Sequence, residues 1–365
     1  MCAPQGGHVG PPLRWVPIVV TQHENIRQLV RDLLADVPSI DQPNIYPMEW
    51  HGDQEGKLAG LYERAKREVW NPADLPWAEL DPLDFTREQR LAVMYWYAVL
   101  ANFDGSGPPV FAKAMIHSYE HHEEDPVRKA FFSITRDEVN HEEVCQRTVS
   151  RLWSATPTEG WEPETELEAL ALRNLRWLYY NGARYWKGYS QALNKYPLSV
   201  LFSSFMMGEV AATTLFHTMS KQATHPVFQH ALRNVGKDEA RHMAICLAML
   251  EKSFPSLSDD EKAMITKQLR AGFVFLSMIL YEPPEQFWQL PPEFLATHRE
   301  LESIARQAGL GVATLDVKRE VWRQAMFKVK AVVERYGIAF PAMPEVGISG
   351  HEVTDVDPTD IIPVF

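Results

Sequence analysis

Two stretches of this chain repeat one pattern about a hundred residues apart, Asp137-Glu138-Val139-Asn140-His141 and Asp238-Glu239-Ala240-Arg241-His242. Each reads Asp-Glu-x-x-His, and a cysteine follows four residues after each histidine, Cys145 and Cys246. On a helix, residues three apart share a face, so each motif aims a carboxylate and an imidazole at one point. Two such helices facing each other across a bundle supply half of a carboxylate-bridged dinuclear metal site. A single Glu-x-x-His is weak evidence, because both residues are common on exposed helices. Two copies with matched flanks say more. Asp125-Pro126-Val127 precedes the first and His225-Pro226-Val227 the second, each proline suited to a first helical turn. The repeat predicts two homologous helix starts, hence a bundle of two related helix pairs.

Such a site needs two further carboxylates on the other core helices. A carboxylate alone in an apolar helix is costly unless a positive group pairs with it. Glu209 is the only Asp, Glu, Lys or Arg between Tyr196 and Ser220, and Asp104 the only one between Leu91 and Ala112. Each precedes a motif glutamate by a length that lets the chain turn and return in an antiparallel neighbour. Asp104, followed by Gly105, also reads as an ordinary helix terminus. Glu120, Glu123 and Glu124 fall in a dense polar run with His121 and His122, which reads as a solvated turn.

Metal-bound histidine donates its other ring N–H to a carboxylate. An Asp beside the ligating Glu points sideways, toward the helix that carries the opposite histidine. The pattern therefore predicts crossed pairs, Asp137 with His242 and Asp238 with His141. Oxygen-rich ligands with two imidazoles and no thiolate suit iron, with manganese as the alternative, and suit neither zinc–thiolate nor copper sites. Cys145 and Cys246, one turn past the histidines, are expected close by; the competing reading is small buried apolar residues.

Helical periodicity runs through the 365 residues, and strand alternation is scarce. Helices are expected at about 23–36, 54–70, 86–104, up to about 122, 126–153, 164–194, 198–222, 226–253, 258–281, 298–307 and 314–336. Residues 70–77, rich in Pro and Trp, read as a loop, and Thr86-x-x-Gln89 as a capping box. The expected organisation is an N-terminal arm over 1–22, a single all-α domain over 23–339 with its core bundle at 86–253, and an acidic, Pro-containing tail over 340–365 with little regular structure. A net charge of −12 argues against nucleic acid as a partner. Three scattered cysteines, no signal-peptide pattern and no membrane-length apolar run lead to the expectation of a cytoplasmic protein.

In order and spacing, Asp104, Glu138-x-x-His141, Glu209 and Glu239-x-x-His242 resemble the ferritin-like carboxylate-bridged di-iron proteins over roughly residues 86–253. The resemblance implies a four-helix bundle with additional flanking helices, two iron ions and oxygen activation. An Asp as first ligand resembles the ribonucleotide reductase small subunit. That subunit holds its radical tyrosine four residues after the first His, where this chain has Cys145, so no tyrosyl radical is expected to accumulate; Tyr97 is the nearest alternative. Cys at this place resembles the bacterial multicomponent monooxygenases. These and the acyl carrier protein desaturases carry a Thr one turn beyond the third-helix Glu, as Thr213 and Thr214 stand here. The resemblance thus makes Thr213 and Cys145 candidate catalytic residues. Compared with p-aminobenzoate N-oxygenase, Val235 replaces a further histidine.

The expected function is an O₂-using oxygenase or oxidase of a small organic substrate, by hydroxylation, N-oxygenation or desaturation. No flavin or nicotinamide fingerprint is present, so the electron donor is expected to be external, a separate reductase or the substrate itself. A membrane is not expected as a partner, and a homodimer is allowed. The alternatives are a radical-generating subunit and an iron-storage protein. Storage does not call for the added helices or for the Trp-rich segments around Trp70, Trp77, Trp96, Trp177 and Trp186, which read as pocket walls, a docking face or ordinary core.

Overall fold

The computed structural model describes residues 23–35, 55–105, 107–121, 123–153, 160–195, 198–280 and 290–353. The arm expected over 1–22 lies outside them. The chain divides into two compact units, Met1–Asn44 and Ile45–Phe365. In the first, α1 (His23–Leu34) carries Ile26, Leu29, Val30 and Leu33 at helical spacing. The helix falls in the first of these units.

The second unit is built of helices: α2 (Lys57–Arg67), α3 (Arg87–Asp104), α4 (Gly107–Glu120), α5 (Asp125–Leu152), α6 (Glu166–Lys195), α7 (Leu198–Gln222), α8 (Pro226–Ser253), α9 (Asp259–Leu280), α10 (Phe294–Gln307) and α11 (Leu315–Arg335). The segment expected as a plain loop after α2 makes three single 3-10 turns, Pro72–Asp74, Trp77–Glu79 and Pro82–Asp84. Asn71 and Asp81 each cap one by accepting a backbone N–H two residues on. Thr86 and Gln89 close a reciprocal capping box at the start of α3. Pro126 and Pro226 occupy the first turns of α5 and α8, where a missing N–H costs nothing.

The core bundle is formed by α3, α5, α7 and α8, with α3 against α5, α7 against α8, and α5 meeting α8 across the middle. Every residue from Leu91 to Leu100 on α3 is buried, because α5, α6 and α10 surround it. That explains its uninterrupted apolar sequence. Further helices close the outside, α9 and α11 on α7, and α2 on α5 and α8.

A buried polar chain ties α10 and α11 to α3. Tyr95 Oη lies 2.9 Å from His298 Nδ1, and His298 Nε2 lies 3.2 Å from Glu302 Oε1. Glu302 accepts from the Lys318 ammonium, which stands 4.9 Å from the centre of the Trp96 ring.

The expected tail departs from expectation over 340–353. Phe340, Met343, Val346 and Ile348 are buried, and Glu345 takes a bidentate ion pair from Arg270 at 2.9 and 2.6 Å. Isolated bridges join Pro341 to His351 and Met343 to Ile348. The apolar residues, spaced two or three apart, outweigh the prolines. Residues 354–365 lie outside the described set. No described helix is long and apolar enough to cross a membrane.

Candidate metal centre

The centre lies where α5 and α8 face each other. Glu138, Glu209, Glu239 and His242 present ligand atoms within 4.8 Å of one another, and all four are buried. His242 Nδ1 stands 3.3 Å from Glu138 Oε1, 3.5 Å from Glu209 Oε2 and 3.6 Å from Glu239 Oε2. Across the bundle, His141 Nδ1 stands 3.4 Å from Glu239 Oε1 and 3.8 Å from Glu138 Oε2. Both motif glutamates thus face both histidines. The two imidazole centroids are 5.9 Å apart.

The far nitrogen of each ring meets the aspartate of the opposite motif. His141 Nε2 is 3.3 Å from Asp238 Oδ2, and His242 Nε2 is 3.3 Å from Asp137 Oδ2. This is the crossed pairing the motif geometry predicts. With Nε2 donating, each Nδ1 is turned toward the carboxylates, where a cation would take its lone pair once the proton is displaced.

Behind the aspartates lies a layer that the sequence reading left unassigned. Arg241, wholly buried, donates to Asp137 at 2.5 Å, to Asp238 at 2.6 Å and to Glu68 at 3.0 Å. Arg136 donates to Asp137 at 2.6 Å, and Trp70 Nε1 to Asp238 at 2.7 Å. Asn140, inside the first motif, donates to the Trp70 carbonyl at 3.2 Å and so anchors the segment that brings the indole in. The Arg241 signal was present in the sequence, since Asp238 and Arg241 are three apart on one helix face. Trp70 gave no such signal, because its partner is 168 residues away.

Asp104, at the end of α3, stands outside the tightest group. Its Oδ2 accepts from the Cys145 thiol at 3.6 Å. Burial raises the Asp104 carboxyl to about 8, His141 acting against the rise and Glu138 and Glu239 adding to it. Burial lifts Glu239 to about 8 as well, reinforced by Glu209. For His141, burial works downward but is outweighed by Asp238, Glu138 and Glu239, which carry the imidazole to about 10. His242 rises the same way against its burial, through Asp137 and the three glutamates. Asp238 moves down: burial opposes it, but His141 and His242 hold the carboxyl well below its ordinary range. Burial keeps the Cys145 and Cys246 thiols far above the ordinary thiol value.

Thr213 is half-buried and donates its hydroxyl to the Glu209 carbonyl at 2.6 Å, one turn back on α7; Thr214 does the same to Val210 at 2.7 Å. Both hydroxyl protons are thereby given to the helix's own backbone. Tyr97 is buried, and its phenol is raised by burial and by nearby Cys145 and Asp104. Of the tryptophans, Trp96 is core, Trp77 donates to the Pro72 carbonyl, and Trp177 packs edge-on to Tyr180. The Trp186 side chain lies outside the described set.

The residues present fit a pair of divalent cations. His141 Nδ1, His242 Nδ1 and Glu209 Oε2 are buried without a hydrogen-bond partner among the described residues, and all three face the same space. Six carboxylates belong to the cluster: Glu138, Glu209 and Glu239 on the Nδ1 side, Asp104 beside them at Cys145, and Asp137 and Asp238 behind the imidazoles. The guanidiniums of Arg241 and Arg136 offset two of those charges, and two divalent ions would offset the remaining four.

No family model matches the chain, and no curated protein does. Solved structures do resemble it. A variant of an R2-like ligand-binding oxidase with an anaerobically reconstituted Mn/Fe cofactor superposes with a TM-score of 0.53 at 15% identity, covering 79% of this chain and 99% of that one. A second variant, with an aerobically reconstituted Mn/Fe cofactor, gives 0.52 at 15% identity over 77% of this chain and 98% of that one. At such identity the likeness defines the fold: a ferritin-like bundle of the R2 type with additional helices around it.

Proposed function

We propose that the chain is an O₂-activating dinuclear oxidase or oxygenase acting on a small organic substrate, with Asp104, Glu138, His141, Glu209, Glu239 and His242 holding two iron ions or one manganese and one iron. The observation that carries this reading is the convergence of three buried ligand atoms that make no hydrogen bond to the described residues, His141 Nδ1, His242 Nδ1 and Glu209 Oε2, among carboxylates. The Mn/Fe cofactor of the structural neighbours supports it. When bound, such a metal pair supplies the reduction of O₂ and the oxidising equivalents for the substrate.

The chain's own residues prepare the site for that load. Asp137 and Asp238 fix the proton of each imidazole on Nε2. Arg241 holds the two aspartates at a fixed separation. Burial of all four glutamate and histidine ligands in the tightest group keeps bulk water from competing. The electrons are expected from a separate donor.

The test is anaerobic loading with Fe(II), or with Mn(II) and Fe(II), followed by metal analysis and by O₂ uptake with panels of candidate substrates. About two metals per chain, and uptake that rises with a substrate converted to an oxidised product, are the expected result. Glu209→Ala should lose most of the metal while keeping its helicity; full occupancy would remove Glu209 from the ligand set. Uptake of iron far beyond two per chain would replace the reading with storage. One observation favours a second reading, a radical-generating subunit: Tyr97 is buried beside Cys145 and Asp104. A stable tyrosyl EPR signal lost in Tyr97→Phe would decide for it.

A further inference from the structure

Gly107 opens α4 directly against the Glu138 side chain, and we infer that its missing side chain is what seats the Glu138 carboxylate between the two motif helices. Gly107 is then a positioning residue of the proposed centre, and the inference rests on that reading. A Cβ built on Gly107 would lie 2.8 Å from Glu138 Cγ, 2.7 Å from Cδ and closer still to Oε2. Real Cβ atoms essentially never approach within 3.0 Å. The conflict spans the outer half of the glutamate, so turning the terminal carboxylate alone does not relieve it. Nor is the glutamate free to swing. It is buried, with Oε1 3.3 Å from His242 Nδ1 and Oε2 3.8 Å from His141 Nδ1.

A positive φ does not account for the glycine at this position. Gly107 is absent from the glycines with positive φ, so the backbone does not require it. It is the first residue of α4, where a helix start tolerates glycine but does not require it. Gly105, two residues earlier, differs: its added Cβ would first meet the Ala101 carbonyl of its own chain turn at 2.7 Å. What sets Gly107 apart is the room it leaves for the Glu138 carboxylate. The α3–α4 break therefore serves the centre twice, ending α3 at Asp104 and opening room for Glu138.

The test is anaerobic Mn(II) titration, read by the EPR signal of free aqueous Mn(II), with thermal unfolding of each protein alongside. Gly107→Ala should bind Mn(II) ten- to a hundredfold more weakly, the usual scale for disturbing what orients a ligand. Its unfolding temperature should fall only by what overpacking one methyl causes, leaving a folded protein to titrate. Gly60→Ala, a helical glycine with open space around it, should titrate like the wild type. Glu138→Asp alone should also weaken binding. In the double variant Gly107→Ala/Glu138→Asp the shorter side chain withdraws from the added methyl, so the two losses should not add.

Wild-type affinity in Gly107→Ala, or losses that simply sum in the double variant, would overturn the role of Gly107 and leave the centre standing. A wild-type chain that takes up neither Mn(II) nor Fe(II) would overturn the centre itself. Should Gly107→Ala not fold, recovery of fold and binding in the double variant supports the inference, and failure there overturns it.

Discussion

Asp238 serves three partners at once. Its Oδ2 accepts from Trp70 and faces His141 Nε2, while its Oδ1 accepts from Arg241. Asn in its place keeps the shape but turns one accepting oxygen into a donor, so either the histidine or the arginine loses its acceptor. We expect Asp238→Asn to weaken metal binding ten- to a hundredfold with the helices intact, as for other groups that orient a ligating histidine. Equal metal titration curves for variant and wild type would reduce Asp238 to a packing residue. At this scale much was legible in the sequence. Three-residue spacing put Glu138 with His141 and Glu239 with His242, and side-by-side placement predicted the crossed aspartates. The part that was not legible depends on long-range contacts: Trp70 and Glu68 reach the centre only because α2 packs on α5 and α8. The absence of a side chain at Gly107 carries no sequence signal of its own, since a glycine beside a helix break reads first as punctuation.

The helices themselves were the most legible level, because capping residues and prolines mark their starts and apolar periodicity marks their length. What periodicity cannot give is which buried polar groups will find one another. The α3–α10–α11 chain is such a case: in sequence, Tyr95 reads as one more residue of an apolar helix, and His298, Glu302 and Lys318 as scattered polar residues of two others. Glu302 is buried, and although burial pushes its carboxyl upward, Lys318 and His298 outweigh it and hold it down at about 2. A depressed carboxyl contributes stability that is fully present above its unfolded pKa of about 4.3 and is lost as pH falls toward 2. Breaking a buried pair from one side costs roughly 3 to 5 kcal/mol. Glu302→Gln should therefore be destabilised by that order near neutral pH in denaturant unfolding, and its gap to the wild type should narrow below about pH 4. A gap that stays constant from pH 7 to pH 3 would mean that shape, not charge, joins these helices. The 340–353 segment belongs to the same level. Its prolines argued for a loose tail, but four buried apolar side chains and the Arg270–Glu345 pair fasten it down.

Across the whole molecule, the negative balance of the chain and the metal centre are one electrostatic problem. The net charge is −12, and six of the carboxylates behind it converge at one place. Protons and divalent cations compete to neutralise that cluster. The site's own groups say which wins at a given pH. Asp104 and Glu239 lie near 8 and His141 near 10, all raised, so below neutrality each tends to keep its proton. Ligating carboxylates and imidazoles must give up those protons, so loading releases them into solution. Each proton displaced makes the apparent affinity rise tenfold per pH unit while its group remains protonated. Affinity for Mn(II) should therefore climb steeply from pH 6 to about 8 and more gently above, where only the histidine protons remain to be expelled. Calorimetric titrations in buffers of different ionisation enthalpy would count the protons directly, and Mn(II) titrations at several pH values would give the slope. A flat profile with no proton release would show a centre that is already ionised before metal arrives, and with it an environment less buried than the fold provides.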